Sequence, residues 1–199
     1  MSTALIIFIK NPNIGQVKTR LAKEIGDEQA LEIYLELCRL TRVVIHDFPG
    51  TKYLFYSDEI ISDDDWDPVL FIKQLQSGRD LGERMKNAFS SVFHKNEKII
   101  LIGSDCPYLK LTHLNEASQE LNKVDCVIGP AKDGGYYLLG LSSMIDELFM
   151  DKKWSSNLVL LQTLKTLNEK NHSVSQLETM EDIDTITDWE RYLDSTFGS

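Results

Sequence analysis

The chain is short of the features that announce many function classes. It has only three cysteines in 199 residues, Cys38, Cys106 and Cys126. None lies in a CxxC pair, which excludes a disulfide framework and a thiolate zinc site and suits a reducing cytosol. The four histidines, His46, His94, His113 and His172, show no HxH or HExxH spacing, so no histidine metal motif and no Ser-His-Asp set can be assembled. The apolar run Ala4–Ile9 is far too short for a signal segment or a membrane span. Positive charge is also scarce. Lys and Arg total 21 against 31 Asp and Glu, a formal net charge of −10, which argues against a nucleic-acid partner, whose binders carry a basic face. The expectation is a soluble, cytoplasmic protein.

What is present is an ordinary globular balance, 42% hydrophobic and 26% charged, in a length that suits one α/β domain over residues 1–199. Charge is distributed unevenly. Residues 58–67 hold six acids and no base, and residues 178–194 hold seven acids and one base. Those segments together carry −12, so the other 172 residues sum to +2. The first 23 residues contain Lys10, Lys18, Arg20 and Lys23 and no acid.

Apolar runs at Ala4–Ile9 and Lys98–Ile102 have the look of strands buried on both faces. Further strands are predicted at Lys52–Tyr56, Val69–Ile72, Asp125–Ile128, Tyr136–Leu141 and Ser173–Leu177. Helical spacing predicts a short helix over about Lys18–Glu24 and a long one that Asp27 can cap, running to about His46. Others fall at Asp80–Phe93, Thr112–Asn122, Met144–Phe149, Ser156–Asn168 and Thr187–Leu193. Alternating strands and helices predict a doubly wound, mostly parallel sheet, in which ligands bind beyond the carboxyl ends of the strands.

The unusual residues sit at those ends. Lys10–Arg20 (KNPNIGQVKTR) leaves a strand and delivers Lys18 and Arg20 to a helix start, where cations, backbone N–H groups and the helix dipole suit a di- or triphosphate. It is not a Walker A loop, and its plain reading is a solvated basic loop. In Gln76–Met85 (QSGRDLGERM), Gly78 and Gly82 allow close backbone approach and Arg79 could reach an anion or a base edge. Asp80 there also reads as an ordinary helix cap. Asp105, one step past a strand in IGSDCPYL, suits Mg²⁺ or Mn²⁺, or simply caps a turn. Cys106 reads as a buried filler, since no histidine lies within local reach to activate it. In GPAKDGGYYLLGL, Gly134 and Gly135 free the backbone to lie against a ligand and Asp133 could hold hydroxyls or act as a base. One of Tyr136 and Tyr137 should face the core. Asp182 and Asp184 are two apart, so if extended they share a face and could add a metal carboxylate; a capped helix start explains them equally well.

Taken in order, KNPNIGQVKTRLA, QSGRDLGERM, IGSDCPYL, GPAKDGGYYLLGL and DIDT resemble a family of small bacterial proteins with the nucleotide-diphospho-sugar transferase, or glycosyltransferase-A-like, fold. The resemblance runs from about Ala4 to about Leu193. More distantly the chain looks like the molybdenum-cofactor and phospholactate guanylyltransferases. By that likeness Lys18 and Arg20 would hold nucleotide phosphates with Lys10 in support. Asp105 and Asp184 would carry a divalent metal, Mg²⁺ or Mn²⁺. Arg79, with Asp80 and Gly82 beside it, would contact base or ribose, and Asp133, Gly134 and Gly135 would line the acceptor side.

The implied activity is a metal-dependent transferase acting on a small nucleotide or nucleotide-sugar substrate, foremost a glycosyltransferase. The alternative is a nucleotidyltransferase that joins an NTP to a phosphorylated small molecule with loss of pyrophosphate. A third reading is a non-catalytic nucleotide-binding protein, motivated by the single carboxylate in Ser104-Asp105-Cys106 where glycosyltransferases of this fold commonly carry Asp-x-Asp.

Overall fold

The computed structural model describes residues 3–150, 152–154 and 156–197. In chain order its elements are β1 (Thr3–Ile9), α1 (Thr19–Ile25), α2 (Asp27–Ile45), β2 (Lys52–Tyr56), β3 (Phe71–Leu75), α3 (Leu81–Phe93), β4 (Lys98–Ile102), α4 (Leu111–Glu120), β5 (Cys126–Pro130), β6 (Tyr136–Leu141), α5 (Val159–Glu169), β7 (Val174–Gln176) and α6 (Ile186–Phe197). The seven strands form one sheet in the order β3-β2-β1-β4-β6-β5-β7. All neighbouring pairs are parallel except those of β6, which runs antiparallel to β4 and β5.

That order explains why β1 from Ala4 onward and β4 from Ile99 onward are apolar throughout. They lie in the middle of the sheet with helices on both faces, and every residue from Ala4 to Ile7 is fully buried. Leu5, Ile7, Ile100 and Ile102 face the layer holding α2 and α4. Ala4, Ile6, Ile99 and Leu101 face α3, through Met85, Phe89 and Val92. The alternation expected of Tyr136 and Tyr137 is present, but each packs under helices, on opposite faces. A third small cluster, Leu37, Ile183 and Tyr192, fastens α6 and the segment before it onto α2.

Several predicted boundaries shift for local reasons. Val69 and Leu70 are not strand. The Asp67 carboxylate and carbonyl accept from the N–H groups of Val69, Leu70 and Phe71, which makes a turn and delays the strand to Phe71. Gly26, with φ of 90°, takes the cap position of α2, and Asp27 sits in the first turn, where its charge favours the helix dipole. Met144–Phe149 contracts to a single 3-10 turn at Asp146–Phe149. Ser156–Leu158 form a turn closed by the Val159 N–H on the Ser156 carbonyl, so α5 starts later than the apolar spacing predicts. Asp80 does cap α3, accepting from the Glu83 N–H at 2.9 Å. Among the described residues no helix is long and apolar enough to cross a membrane.

The carboxyl ends of β1, β2, β3, β4 and β5 share one edge, and β6 enters from it. The chain before α6 is stitched along the same edge. Met180 N–H donates to the Pro130 carbonyl, Lys132 N–H to the Met180 carbonyl, and Ile183 N–H to the Asp105 carbonyl at 3.0 Å. Loops far apart in sequence therefore meet there.

Candidate functional site

Lys18 is the centre of the site. Its backbone is left-handed, φ 45° and ψ 45°, as the residue before α1. A non-glycine residue holds that conformation only where surrounding contacts enforce it. The contacts are those of its ammonium group. Nζ donates to the Ile183 carbonyl at 2.7 Å and stands 2.9 Å from Asp105 Oδ1, and the side chain is only 5% exposed. Two residues on, Arg20 Nη1 meets Asp184 Oδ2 at 2.8 Å. The basic amino-terminal loop and the acidic carboxyl-terminal segment thus pair directly with each other. Lys18 and Arg20, expected on phosphates, and Asp105 and Asp184, expected on a metal, are each other's partners.

Asp182 stands half-buried beside this cluster, and among the described residues no hydrogen bond or ion pair holds its carboxylate. Burial, then the neighbouring charge of Asp105, push its pKa up to about 7, with Asp133 and Asp184 adding to the rise and Lys18 opposing it. Four carboxylates therefore share one neighbourhood with a single enclosed cation. The two-residue spacing places Asp182 beside Asp184, but only the fold shows that Asp182 turns inward while Asp184 reaches Arg20 at the half-exposed rim.

The other expected residues divide. Lys10 is exposed, and its backbone is clamped by Tyr34. The Lys10 N–H donates to the Tyr34 hydroxyl at 2.8 Å, which donates in turn to the Lys10 carbonyl at 2.8 Å. Asp133 lies on the rim and spends Oδ1 on the Gly135 N–H at 2.8 Å. Gly134, with φ of 88°, is free of a side chain for a reason other than a ligand, because a Cβ there would stand 2.2 Å from the Asn157 carbonyl oxygen. Gly82 lies under an indole, where a Cβ would stand 2.2 Å from Trp154 Nε1. The Arg79 side chain is 90% exposed and forked onto Glu83, at 2.6 Å from Nη2 to Oε1. Arg79, Asp80 and Gly82 are thus engaged within α3 and with Trp154 rather than with the Lys18 cluster. Cys106 is a buried filler. Its thiol is pushed up to about 12, first by burial and then by the charge of Asp182, which removes it as a nucleophile.

Three residues of this edge carry no sequence signal. Tyr34 reads as one more apolar position of α2. Trp154 sits in an irregular stretch. Asn11 follows β1, and its side-chain carbonyl accepts from the Asp58 N–H at 3.0 Å while its amide donates to the Glu59 carbonyl at 2.9 Å, tying the basic loop to the acidic one. Two of that loop's six acids pair with groups outside it: Asp64 accepts from Tyr56 and Lys73, and Asp65 pairs with Arg42, whose guanidinium lies over Trp66.

Among the described residues no three His, Cys, Asp or Glu side chains are arranged to enclose a metal ion. Asp105 and Asp182 offer the hard oxygen donors that a divalent ion takes, Asp182 half-buried and Asp105 against Lys18. Lys18 supplies the positive charge there.

Residues 41–156 match the family described as "Uncharacterized protein conserved in bacteria (DUF2064)". The chain is 26% identical over 172 residues to a 2-phospho-L-lactate guanylyltransferase of Methanocaldococcus vulcanius, covering 84% of this chain and 73% of that one. Among solved structures, a Desulfovibrio desulfuricans G20 protein described as a nucleotide-diphospho-sugar transferase superposes with a TM-score of 0.89 at 28% identity, covering 100% of this chain and 90% of that one. A cytidylyltransferase from Leptospira borgpetersenii shares the fold, with a TM-score of 0.59 at 16% identity over 100% of this chain and 89% of that one.

Proposed function

The chain belongs to the DUF2064 family, and from that footing we propose that it is a nucleotidyltransferase, joining an NTP to a phosphorylated small molecule with release of pyrophosphate. This reverses the order of the two transferase readings drawn from sequence. The observation that carries it is the 26% identity to a guanylyltransferase over 84% of the chain. The site supports it with two cations, Lys18 and Arg20 at the start of α1, paired with Asp105 after β4 and Asp184 before α6.

In the proposed reaction a phosphate oxygen of the acceptor attacks the α-phosphorus of the NTP. The new P–O bond forms as the bond from the α-phosphorus to its bridging oxygen breaks, and pyrophosphate leaves with the electron pair. The acceptor oxygen is already anionic, so no proton has to be abstracted. Asp133, read from sequence as a base or acceptor-positioning group, keeps only the second role. Lys18 and Arg20 would hold the β- and γ-phosphates and neutralise the charge that builds on the leaving group. Asp105 and Asp182, with Asp184 beside them, would hold a divalent ion, which when bound polarises phosphate oxygens. This places Asp182 in the role that sequence reasoning gave to Asp184.

The test is incubation of the purified protein with each NTP, Mg²⁺ or Mn²⁺, and a panel of phosphorylated acceptors that includes 2-phospho-L-lactate. Pyrophosphate release that requires both NTP and acceptor is the expected result. The Desulfovibrio likeness favours glycosyl transfer as the second reading. Release of a nucleoside diphosphate from a nucleotide sugar, with no pyrophosphate from any NTP, would establish that reading instead.

A further inference from the structure

The sheet ends on one side in β3, and that edge is open. The Gln76 N–H donates inward to the Tyr56 carbonyl at 2.9 Å, and alternate residues of a strand turn their main-chain groups to opposite sides. Ile72, Gln74 and Gln76 therefore face β2, while Phe71, Lys73 and Leu75 face outward. The Phe71 N–H is taken by the Asp67 carbonyl. Among the described residues, the N–H and C=O groups of Lys73 and Leu75 and the C=O of Phe71 have no protein partner.

Natural sheets guard such an edge with a bulge, a proline or an outward lysine. Between Phe71 and Leu75 there is none. The register with β2 is unbroken, and the single lysine folds back onto the acidic loop, its Nζ 2.8 Å from both the Ile61 carbonyl and Asp64 Oδ1. Apolar side chains gather here instead. Of the twelve large hydrophobic side chains exposed among the described residues, five lie within residues 60–75: Ile60, Val69, Leu70, Ile72 and Leu75. Exposed apolar surface concentrated beside unpaired backbone marks a contact surface.

The strand fits a second copy of itself. With a two-fold axis at Lys73, an antiparallel pair sets Lys73 opposite Lys73 and Phe71 opposite Leu75. In that register the outward residues are the ones that exchange hydrogen bonds. The Lys73 and Leu75 N–H groups of each copy meet the Lys73 and Phe71 carbonyls of the other. Ile72 of each copy lies across from Gln74 and diagonal to the other Ile72. Charge agrees with this register. Each Lys73 arrives neutralised by its own Asp64. The acidic start of each β3, at Asp67, runs toward Arg79 beyond the end of the other, which is 90% exposed and forked onto Glu83. The opposite edge of the sheet, β7, is only three residues long. We propose that the chain forms a two-fold homodimer by antiparallel pairing of β3, joining two seven-stranded sheets into one. The pairing does not depend on which reaction the chain catalyses.

Sedimentation velocity of the full chain is the test, with circular dichroism to establish that each variant is folded. Wild type should sediment at twice the 22.8 kDa chain mass. Leu75→Pro removes an outward N–H, leaves the ladder to β2 intact, and should sediment as a single chain. Ile72→Lys, at a solvent-facing position, sets like charges diagonally across the axis and should do the same; it serves if the proline variant does not fold. Hydrogen exchange separates strand pairing from a looser apolar contact. The Lys73 and Leu75 amides should exchange about tenfold more slowly, or slower still, in wild type than in Ile72→Lys. A monomeric wild type would overturn the proposal. So would a dimer that survives both substitutions, or one whose Lys73 and Leu75 amides exchange as fast as those of Ile72→Lys.

Discussion

Asp182→Asn should stabilise the ligand-free protein, and more so as pH rises. The ordinary carboxylate value of 3.8 is raised to about 7 by burial and by Asp105, Asp133 and Asp184. A raised carboxylate pKa means that the folded state resists the ionisation that the unfolded chain undergoes freely. The penalty is therefore absent below the unfolded value, grows as pH climbs from 3.8 toward 7, and levels off above 7. At about 1.4 kcal/mol per pKa unit, the penalty is about 1.7 kcal/mol at pH 5 and about 4 kcal/mol at pH 8. Asp182 is partly accessible, and solvent screening brings these down to about 0.8 and about 2 kcal/mol. Asparagine has the same shape and no charge, so it recovers the difference. For a chain of this length a gain of 1 kcal/mol raises Tm by about 2–4 °C. The variant should melt about 2–3 °C above wild type at pH 5 and about 4–8 °C above it at pH 8. Thermal unfolding of both proteins at pH 5, 6, 7 and 8 measures this. A difference that stays constant across the series, or a variant less stable than wild type at pH 8, refutes the reasoning.

The remaining expectations concern single side chains. Tyr34→Phe leaves the Lys10 N–H and carbonyl without the hydroxyl that serves both; urea unfolding should show a loss of about 1–3 kcal/mol, and nucleotide affinity measured by calorimetry should fall with it. Gly82→Ala puts a methyl where Trp154 lies, 2.2 Å from Nε1. It should cost about 1–3 kcal/mol and red-shift the tryptophan emission, and Trp154→Ala in the same chain should recover part of the loss; a Gly82→Ala protein as stable as wild type would mean the indole moves aside freely. Ile100→Ala, at a fully buried position in the centre of the sheet, should cost about 2–5 kcal/mol without changing the Kd for nucleotide in the folded fraction.

How much of this was legible beforehand depended on whether the cause was local. β1 and β4 were readable because a strand buried on both faces must be apolar at every position, and their bounds differ from the predicted ones by a residue or less. Asp80 was readable as a cap because the cap bond spans three residues. The start of β3 was not, since it turns on which backbone groups the Asp67 carboxylate and carbonyl accept from. Gly82 and Gly134 were visible as places needing room. What fills that room comes from residues 154 and 157, and no local rule connects them.

The same division holds for the site. By itself the sequence determined that cations follow the first strand, that a carboxylate follows the fourth, and that two more lie near the chain end, because these are statements about residue type and strand position. Only the tertiary structure decided who meets whom. Lys18 lies 165 residues from Ile183 and Arg20 lies 164 from Asp184, and the parallel sheet brings these loops to one edge. Cations expected on nucleotide phosphates and carboxylates expected on a metal pair directly with each other there, opposite charges attracting across a half-exposed edge. That proximity also singles out Asp182, the carboxylate the pairing leaves over.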